Sequence, residues 1–181
     1  MKDIMVDLET LGTVANAAIL SIGAVKFNLN SDEVDDDGFY ASISVDSNLE
    51  SKRRIQEDTL IWWMKQPTAA QQVFFEPKQS LGSALAELSD WIGSGQYQIW
   101  SNGADFDIPM LAHAFSSLQI DIPWKFWDAR CFRTYKNLPG AKDAPKVQEG
   151  IKHNAMADAY NQARTLQIIQ STLFGPKKVK T

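Results

Sequence analysis

Cysteine is nearly absent. Cys131 is the one cysteine among 181 residues, so no intrachain disulfide can brace the fold, and a reducing, cytoplasmic setting is expected. No apolar run approaches the roughly 20 residues a bilayer-spanning helix needs. The N-terminus carries acidic residues where a secretory signal would have an unbroken apolar core. A soluble intracellular protein with no membrane partner is therefore expected. Positive charge is not in excess: Lys plus Arg number 18 against 22 Asp plus Glu. That excludes a global electrostatic pull toward nucleic acid, although a metal-filled site and local basic clusters can replace one. There is no glycine-rich phosphate loop, no internal repeat and no long linker. Histidine is limited to two residues, His113 and His153.

What is present suffices for one domain with a full hydrophobic core, since 44% of the residues are hydrophobic and 22% charged. The domain is expected over residues 1–175, with 176–181 as a basic, frayed tail. Asp3 to Thr10 reads as a strand, because Ile4, Val6 and Leu8 alternate with other residues. Ala17 to Phe27 reads as a second strand. The polar, acidic "NLNSDEVDDDGF" reads as a hairpin loop into a third, "FYASIS". A calcium loop is excluded there, because the carboxylate expected some six residues after Gly38 is Ser44. "EDTLIWWMKQP" predicts a helix with Leu60, Trp63 and Met64 on one face, stopped by Pro67. "SLGSALAELSDWIG" predicts a second helix, with Leu81, Leu85, Leu88 and Ile92 inward and Gly93 at its end. "YQIWSNG" predicts a strand. "ADFDIPMLAHAFSSL" places Asp107 at a helix start, near Pro109. "KFWDARCFRTYKN" predicts a short strand passing into a helix that Asp128 would cap. "HNAMADAYNQARTLQIIQSTL" predicts a long helix capped by Asn154. Three meandering strands followed by alternating helices and strands predict an α/β sandwich, a mixed sheet with helices on both faces.

One feature of this pattern needs a cause. In a strand, residues i and i+2 share a face, so Asp7 and Glu9 project side by side from "MVDLET". Two like charges persist there if the face is open to water or if a cation sits between the oxygens. Asp107 and Asp158 also lie at element ends, where a helix dipole favours a carboxylate. His153 and Asp158 would lie about 140° apart on a helix. They converge if His153 sits just before the helix and swings over its N-terminus.

"MVDLET", "SNGADFDIPML" and "HNAMAD" resemble, in order, the three motifs of the DEDDh 3′→5′ exonuclease superfamily, which includes the polymerase proofreading subunit and ribonuclease T. "IWWMKQP" and "KFWDARCFRTY" look like segments of phage exonuclease A and of exonuclease VIII-like and RNase AS-like proteins. The resemblance runs from the first strand to the last helix. It implies a ribonuclease H-like fold, with an antiparallel start followed by parallel strands. It also implies roles: Asp7, Glu9, Asp107 and Asp158 as catalytic metal ligands, with Asp105 a near-surface neighbour, and His153 as general base. His113 lies outside any motif and reads as structural or exposed.

Those residue types suit the implied chemistry. Phosphodiester hydrolysis must stabilise charge on the attacking and leaving oxygens, which two Mg²⁺ or Mn²⁺ ions about 4 Å apart do. Hard cations want oxygen ligands. A histidine titrating near 6.5 takes a proton from water at neutral pH. Thr10 and Leu11 are implied contacts of the terminal nucleotide, by backbone or wedge contacts; of the pair Trp62 and Trp63, Trp63 is at core spacing and Trp62 is the freer candidate to stack a base. Lys52, Arg53 and Arg54, or Lys125, Arg130 and Arg133, are candidates to track phosphates, although solvated faces explain each cluster equally. The expected function is metal-dependent 3′→5′ release of nucleoside monophosphates from the 3′ end of nucleic acid. Single-stranded DNA stands ahead of RNA. A catalytically idle nucleic-acid-binding module is the alternative of another class. Related enzymes include dimers, so a homodimer is compatible with the resemblance.

Overall fold

The computed structural model describes residues 1–103 and 105–175; the tail 176–181 lies outside the described residues. β1 (Asp3–Thr10), β2 (Ile19–Phe27), β3 (Phe39–Ser42), β4 (Gln98–Ser101) and β5 (Ala129–Cys131) form one sheet in the order β3-β2-β1-β4-β5. β1 pairs antiparallel with β2 and β2 with β3, whereas β1–β4 and β4–β5 are parallel. This is the mixed sheet expected from the sequence. The helices are α1 (Val45–Glu50), α2 (Glu57–Met64), α3 (Thr68–Gln71), α4 (Leu81–Ile92), α5 (Asp107–Ser117), α6 (Phe132–Tyr135) and α7 (Ala155–Phe174). None of the described helices is long and apolar enough to cross a membrane.

The alternation along β1 divides the core. Ile4, Val6 and Leu8 pack with Leu81, Leu85 and Leu88 of α4 and Leu111 and Phe115 of α5. Met5, from the opposite face, packs with Ala159, Ala163 and Leu166 of α7. Asp7 and Glu9 share the Met5 face, so the two carboxylates point into the α7 layer. β1 is central, and the pairing with β4 runs only from Asp3↔Gln98 to Met5↔Trp100. β4 ends at Ser101, so the carboxyl-terminal half of β1 has no β4 partner and leaves a gap on that side of the sheet.

α7 comes close to the sheet because small residues face it. Ala155, Ala159 and Ala163 are completely buried at a four-residue spacing. Gly23, the β2 partner of Asp7, lies beneath its first turn. A Cβ on Gly23 would stand 2.2 Å from the carbonyl of Ala155, so only glycine allows this approach.

Several expectations need correction. β3 ends at Ser42 because Ser44 leaves the sheet to cap α1, accepting from the Ser47 amide. In α2 only Trp63 is buried; Leu60 and Met64 are exposed. This short helix is held by one anchor, the Trp63 indole, which donates to the Thr10 carbonyl at 2.8 Å and packs with Leu11, Ala18 and Leu20. Asp128 does not cap α6. It closes its own 3₁₀ turn by accepting from the Lys125 amide, and Cys131 takes the cap position. By contrast, α4 has the expected inward face and ends at Gly93, α5 begins at Asp107, and Asn154 caps α7 by accepting from the Ala157 amide at 3.0 Å.

Candidate active site

Asp7 and Glu9 arrive on β1, Asp107 on the first turn of α5 and Asp158 on the first turn of α7. Asp107 reaches the gap beside β1, where its Oδ1 accepts from the Leu8 amide at 3.2 Å. The carboxylate takes the place of the missing β4 partner. Asp158 reaches the same place from above, lowered by the glycine and alanine contact between β2 and α7. Its Oδ2 accepts from the His153 amide at 2.9 Å.

His153 sits just before α7, as expected. Its φ is +63°, a left-handed backbone that costs roughly 1–2 kcal/mol for a residue with a Cβ. The Asn154 cap and the Asp158 carboxylate hold the turn that needs it. The imidazole rests edge-on against Trp62, 4.9 Å between ring centroids, with Trp63 behind at 6.3 Å. Candidate ligand atoms of Glu9, His153 and Asp158 all lie within 4.8 Å of one another. His113 is exposed, with its ring beside the Arg53 guanidinium. Asp105 is also exposed.

The clustered acids disturb one another. Burial, then Asp158 and Asp107, push Glu9 up to about 8. Burial pushes Asp107 to about 7, against the pull of the Leu8 amide, its own amide and Arg133. Asp7 is raised well above the carboxylate range by burial, then by Asp107, Glu9 and Asp158. Burial raises Asp158 as well. His153 is lowered, first by burial and then by Lys152, with Asp158 opposing. Four carboxylates held in this state fit hard divalent cations, whose charge would remove the repulsion. The donor set also has spare capacity. Gln162 donates to Asp7 Oδ1 at 2.7 Å, while its buried Oε1 has no hydrogen-bond partner among the described residues.

Two cavities meet at Leu8 and Glu9. One, of about 400 Å³, is bounded by Thr10, Thr13, Asp58, Thr59, Trp62 and Phe106. Thr10 and Trp62, both expected substrate contacts, line this cavity. Leu11 does not: it is 2% exposed and packs with Trp63 and Ala18. Its amide and carbonyl are already bonded to Ala18 and Gln56, which leaves no wedge to offer. The larger cavity, about 700 Å³, contains Asp7, Glu9, His153 and Asp158 together with Lys136, Lys142, Lys146 and Lys152.

Sequence reasoning missed those lysines; Lys142 and Lys146 lie between the last two predicted helices, in a stretch to which it assigned no element. Of the basic residues it named, Arg53 is buried and donates to the Ala17 and Ala15 carbonyls, so it braces a loop. Arg130 folds back on the Trp127 and Ala129 carbonyls, and Arg133 donates to the Asn102 carbonyl. Gln162 was also missed, although its place one turn after Asp158 on the same helix face was a usable signal.

The fold is that of DEDDh-type exonucleases. Escherichia coli Exonuclease I in complex with a dT13 oligonucleotide superimposes with a TM-score of 0.65 at 14% identity, covering 93% of this chain and 41% of that one. Its zinc-bound form with single-stranded DNA gives 0.69 at 13% identity, covering 94% and 40%. The nuclease domain of 3′hExo, a DEDDh family member bound to rAMP, gives 0.62 at 12% identity, covering 96% and 94%. The chain thus spans about two-fifths of the Exonuclease I chains and nearly the whole 3′hExo domain. In sequence it is 25% identical over 159 residues to the exodeoxyribonuclease of Enterobacteria phage T4, covering 74% of this chain and 70% of that protein. Residues 2–170 match the 3′-5′ exoribonuclease Rv2179c-like domain, and the chain belongs to that family.

Proposed function

We propose that residues 1–175 form one catalytic unit that removes nucleoside monophosphates from the 3′ end of single-stranded nucleic acid. The observation carrying this reading is the convergence of Asp7, Glu9, Asp107 and Asp158 from three elements, with His153 against Glu9 and Asp158. A binding module needs no such set of mutually repelling, desolvated acids beside a strained histidine.

Asp7, Glu9, Asp107 and Asp158 would hold two Mg²⁺ or Mn²⁺ ions. When bound, such ions stabilise charge on the attacking and leaving oxygens of the phosphodiester. His153 accepts the proton of the attacking water, and its lowered pKa keeps it neutral and ready at pH 7. The Asp158 carboxylate orients it through the backbone of the capping turn. Gln162 fixes the Asp7 carboxylate. The terminal nucleotide occupies the cavity beside Trp62, whose 41% exposed indole offers a stacking face. Thr10 lies at the floor of that cavity, and Leu11 supports it from behind.

For the sugar, the DNA expectation is supported by the phage exodeoxyribonuclease and by the oligonucleotide complexes of Exonuclease I. An RNA reading is supported by the family description and by the chemistry of the smaller cavity. Asp58, Thr13 and Thr59 on its wall provide acceptors and donors for a 2′-hydroxyl. The test is to incubate the protein with Mn²⁺ or Mg²⁺ and equal amounts of 5′-labelled DNA and RNA of one sequence, with a chelator control. A ladder shortening from the 3′ end, lost with chelator, is expected, and the faster strand names the preferred sugar. Shortening of neither strand, with binding intact, would overturn the reading.

A further inference from the structure

We infer that the segment from Lys136 to Lys152 is a phosphate-binding wall for the strand upstream of the scissile bond. This rests on the exonuclease reading above and extends it to how much of the substrate is held. The segment contains lysines at 136, 142, 146 and 152 and acids at Asp143 and Glu149. All four lysines line the larger cavity, and neither acid does. Ala141 and Ala144 are buried against Phe132 and the α7 face and also line the cavity, which anchors the segment along its edge.

The wall is docked. Two α7 side chains one turn apart clamp its second half. Thr165 accepts from the Val147 amide at 3.0 Å. Asn161 accepts from the Glu149 amide at 3.0 Å and donates to the Glu149 carbonyl at 2.8 Å. At the other end Lys136 Nζ donates to Asn102 Oδ1 at 2.9 Å. The helix that carries Asp158 and Gln162 therefore also fixes the lysine wall, and acids and lysines are held in one frame. Lys142 and Lys146 are exposed, and neither has a hydrogen bond or salt bridge from its ammonium among the described residues. They are not spent on neutralising the acids.

The two cavities meeting at Leu8 and Glu9 give the strand a path. The terminal nucleotide lies beside Trp62, the scissile phosphate over the acids, and the next phosphates along the lysines. Ammonium groups on a docked backbone bind phosphates without reading bases, and they release counterions when they do. Substrates with several phosphates upstream should therefore bind more tightly than a dinucleotide, with a steeper salt dependence.

The test compares KM and kcat for a dinucleotide and a ten-nucleotide single strand, across a salt series. It uses wild type, the double variant Lys142→Gln with Lys146→Gln, the matching double arginine variant, and Lys2→Gln as a distant control. Wild type is expected to have the lower KM on the longer strand. The double glutamine variant should raise that KM about tenfold. It should also reduce the slope of log KM against log salt by about 0.7 per lysine. Its KM on the dinucleotide should change less than twofold. The arginine variant should restore the longer-strand KM, and Lys2→Gln should resemble wild type. An equal loss on both substrates, or no loss on the longer one, overturns the wall while leaving the exonuclease reading intact. Absence of wild-type turnover on both substrates overturns the exonuclease reading and this inference with it.

Discussion

The amide of Leu8 donates to Oδ1 of Asp107 across a separation of 99 residues. That bond joins the second acidic motif to the first in the half of β1 that β4 does not pair, so the carboxylate has a structural role that substitutions can separate from its proposed chemical one. Asp107→Asn keeps an oxygen acceptor for Leu8 and removes the buried charge. It should abolish turnover while leaving the melting temperature unchanged or raised. Asp107→Ala also orphans the Leu8 amide, which costs about 1–3 kcal/mol. A thermal melt and an activity assay on both variants check this; equal destabilisation by the two would contradict it.

Without a divalent cation the fold should be pH-sensitive in a defined direction. Glu9 and Asp107 hold their protons up to about 8 and about 7 in the fold, against 4.5 and 3.8 as ordinary values. Between those limits the folded state binds more protons than the unfolded state, so stability falls as pH rises from about 5 to about 8. Melting temperature measured in chelator should fall across that range, and saturating Mn²⁺ should reduce the slope. A chelated protein that gains stability with rising pH would contradict the clustering of the acids.

His153 should be replaced by asparagine rather than alanine alone, because asparagine tolerates a φ of +63°. His153→Asn should fold normally and lower kcat by about 10²–10⁴-fold, the usual contribution of a general base. The acid limb of its pH profile should disappear. His113→Asn, at an exposed ring, is the control. Equal losses in the two variants would remove His153 from its role.

In the proposed site Gln162 acts through Asp7, to which it donates. Gln162→Leu should raise the Mn²⁺ concentration needed for half-maximal activity by about 10–100-fold, as expected for a residue that orients a ligand. Activity at saturating Mn²⁺ should recover in part. An unchanged Mn²⁺ requirement would make the 2.7 Å bond between Gln162 and Asp7 incidental.

Gly23→Ala places a methyl 2.2 Å from the Ala155 carbonyl. The expected result is a loss of stability of about 1–3 kcal/mol from overpacking, with lower activity because Asp158 rises with the helix. Ser→Ala at buried Ser21, on the same strand, introduces no such clash. A Gly23→Ala variant with wild-type melting temperature and rate would refute the close approach as the device that positions α7.

The alternation around Asp7 and Glu9 and the caps at Asn154 and Gly93 were legible in the sequence because they depend on local periodicity and backbone chemistry. The order of the acidic motifs carried the site. What was not legible depended on tertiary choices. Nothing local distinguishes Trp63, which is buried, from Met64, which is exposed, when a short helix is pinned by one indole. Leu11 looked available because it follows the first motif, yet it packs beneath the cavity. Arg53 looked like a phosphate ligand in a basic run and is consumed by two carbonyls. The four cavity lysines are spaced irregularly, and only the docking of their segment on Asn161 and Thr165 brings them together.

The most direct test of the central claim is the rate of 3′-terminal release by wild type, Asp7→Ala and Asp158→Ala on one labelled single strand in Mn²⁺. Each variant's fold should be verified by circular dichroism and thermal melting. The four-acid site predicts metal-dependent release by wild type and none by either folded variant. Wild-type rates in either variant would show that the acids converging beside β1 do not perform the reaction.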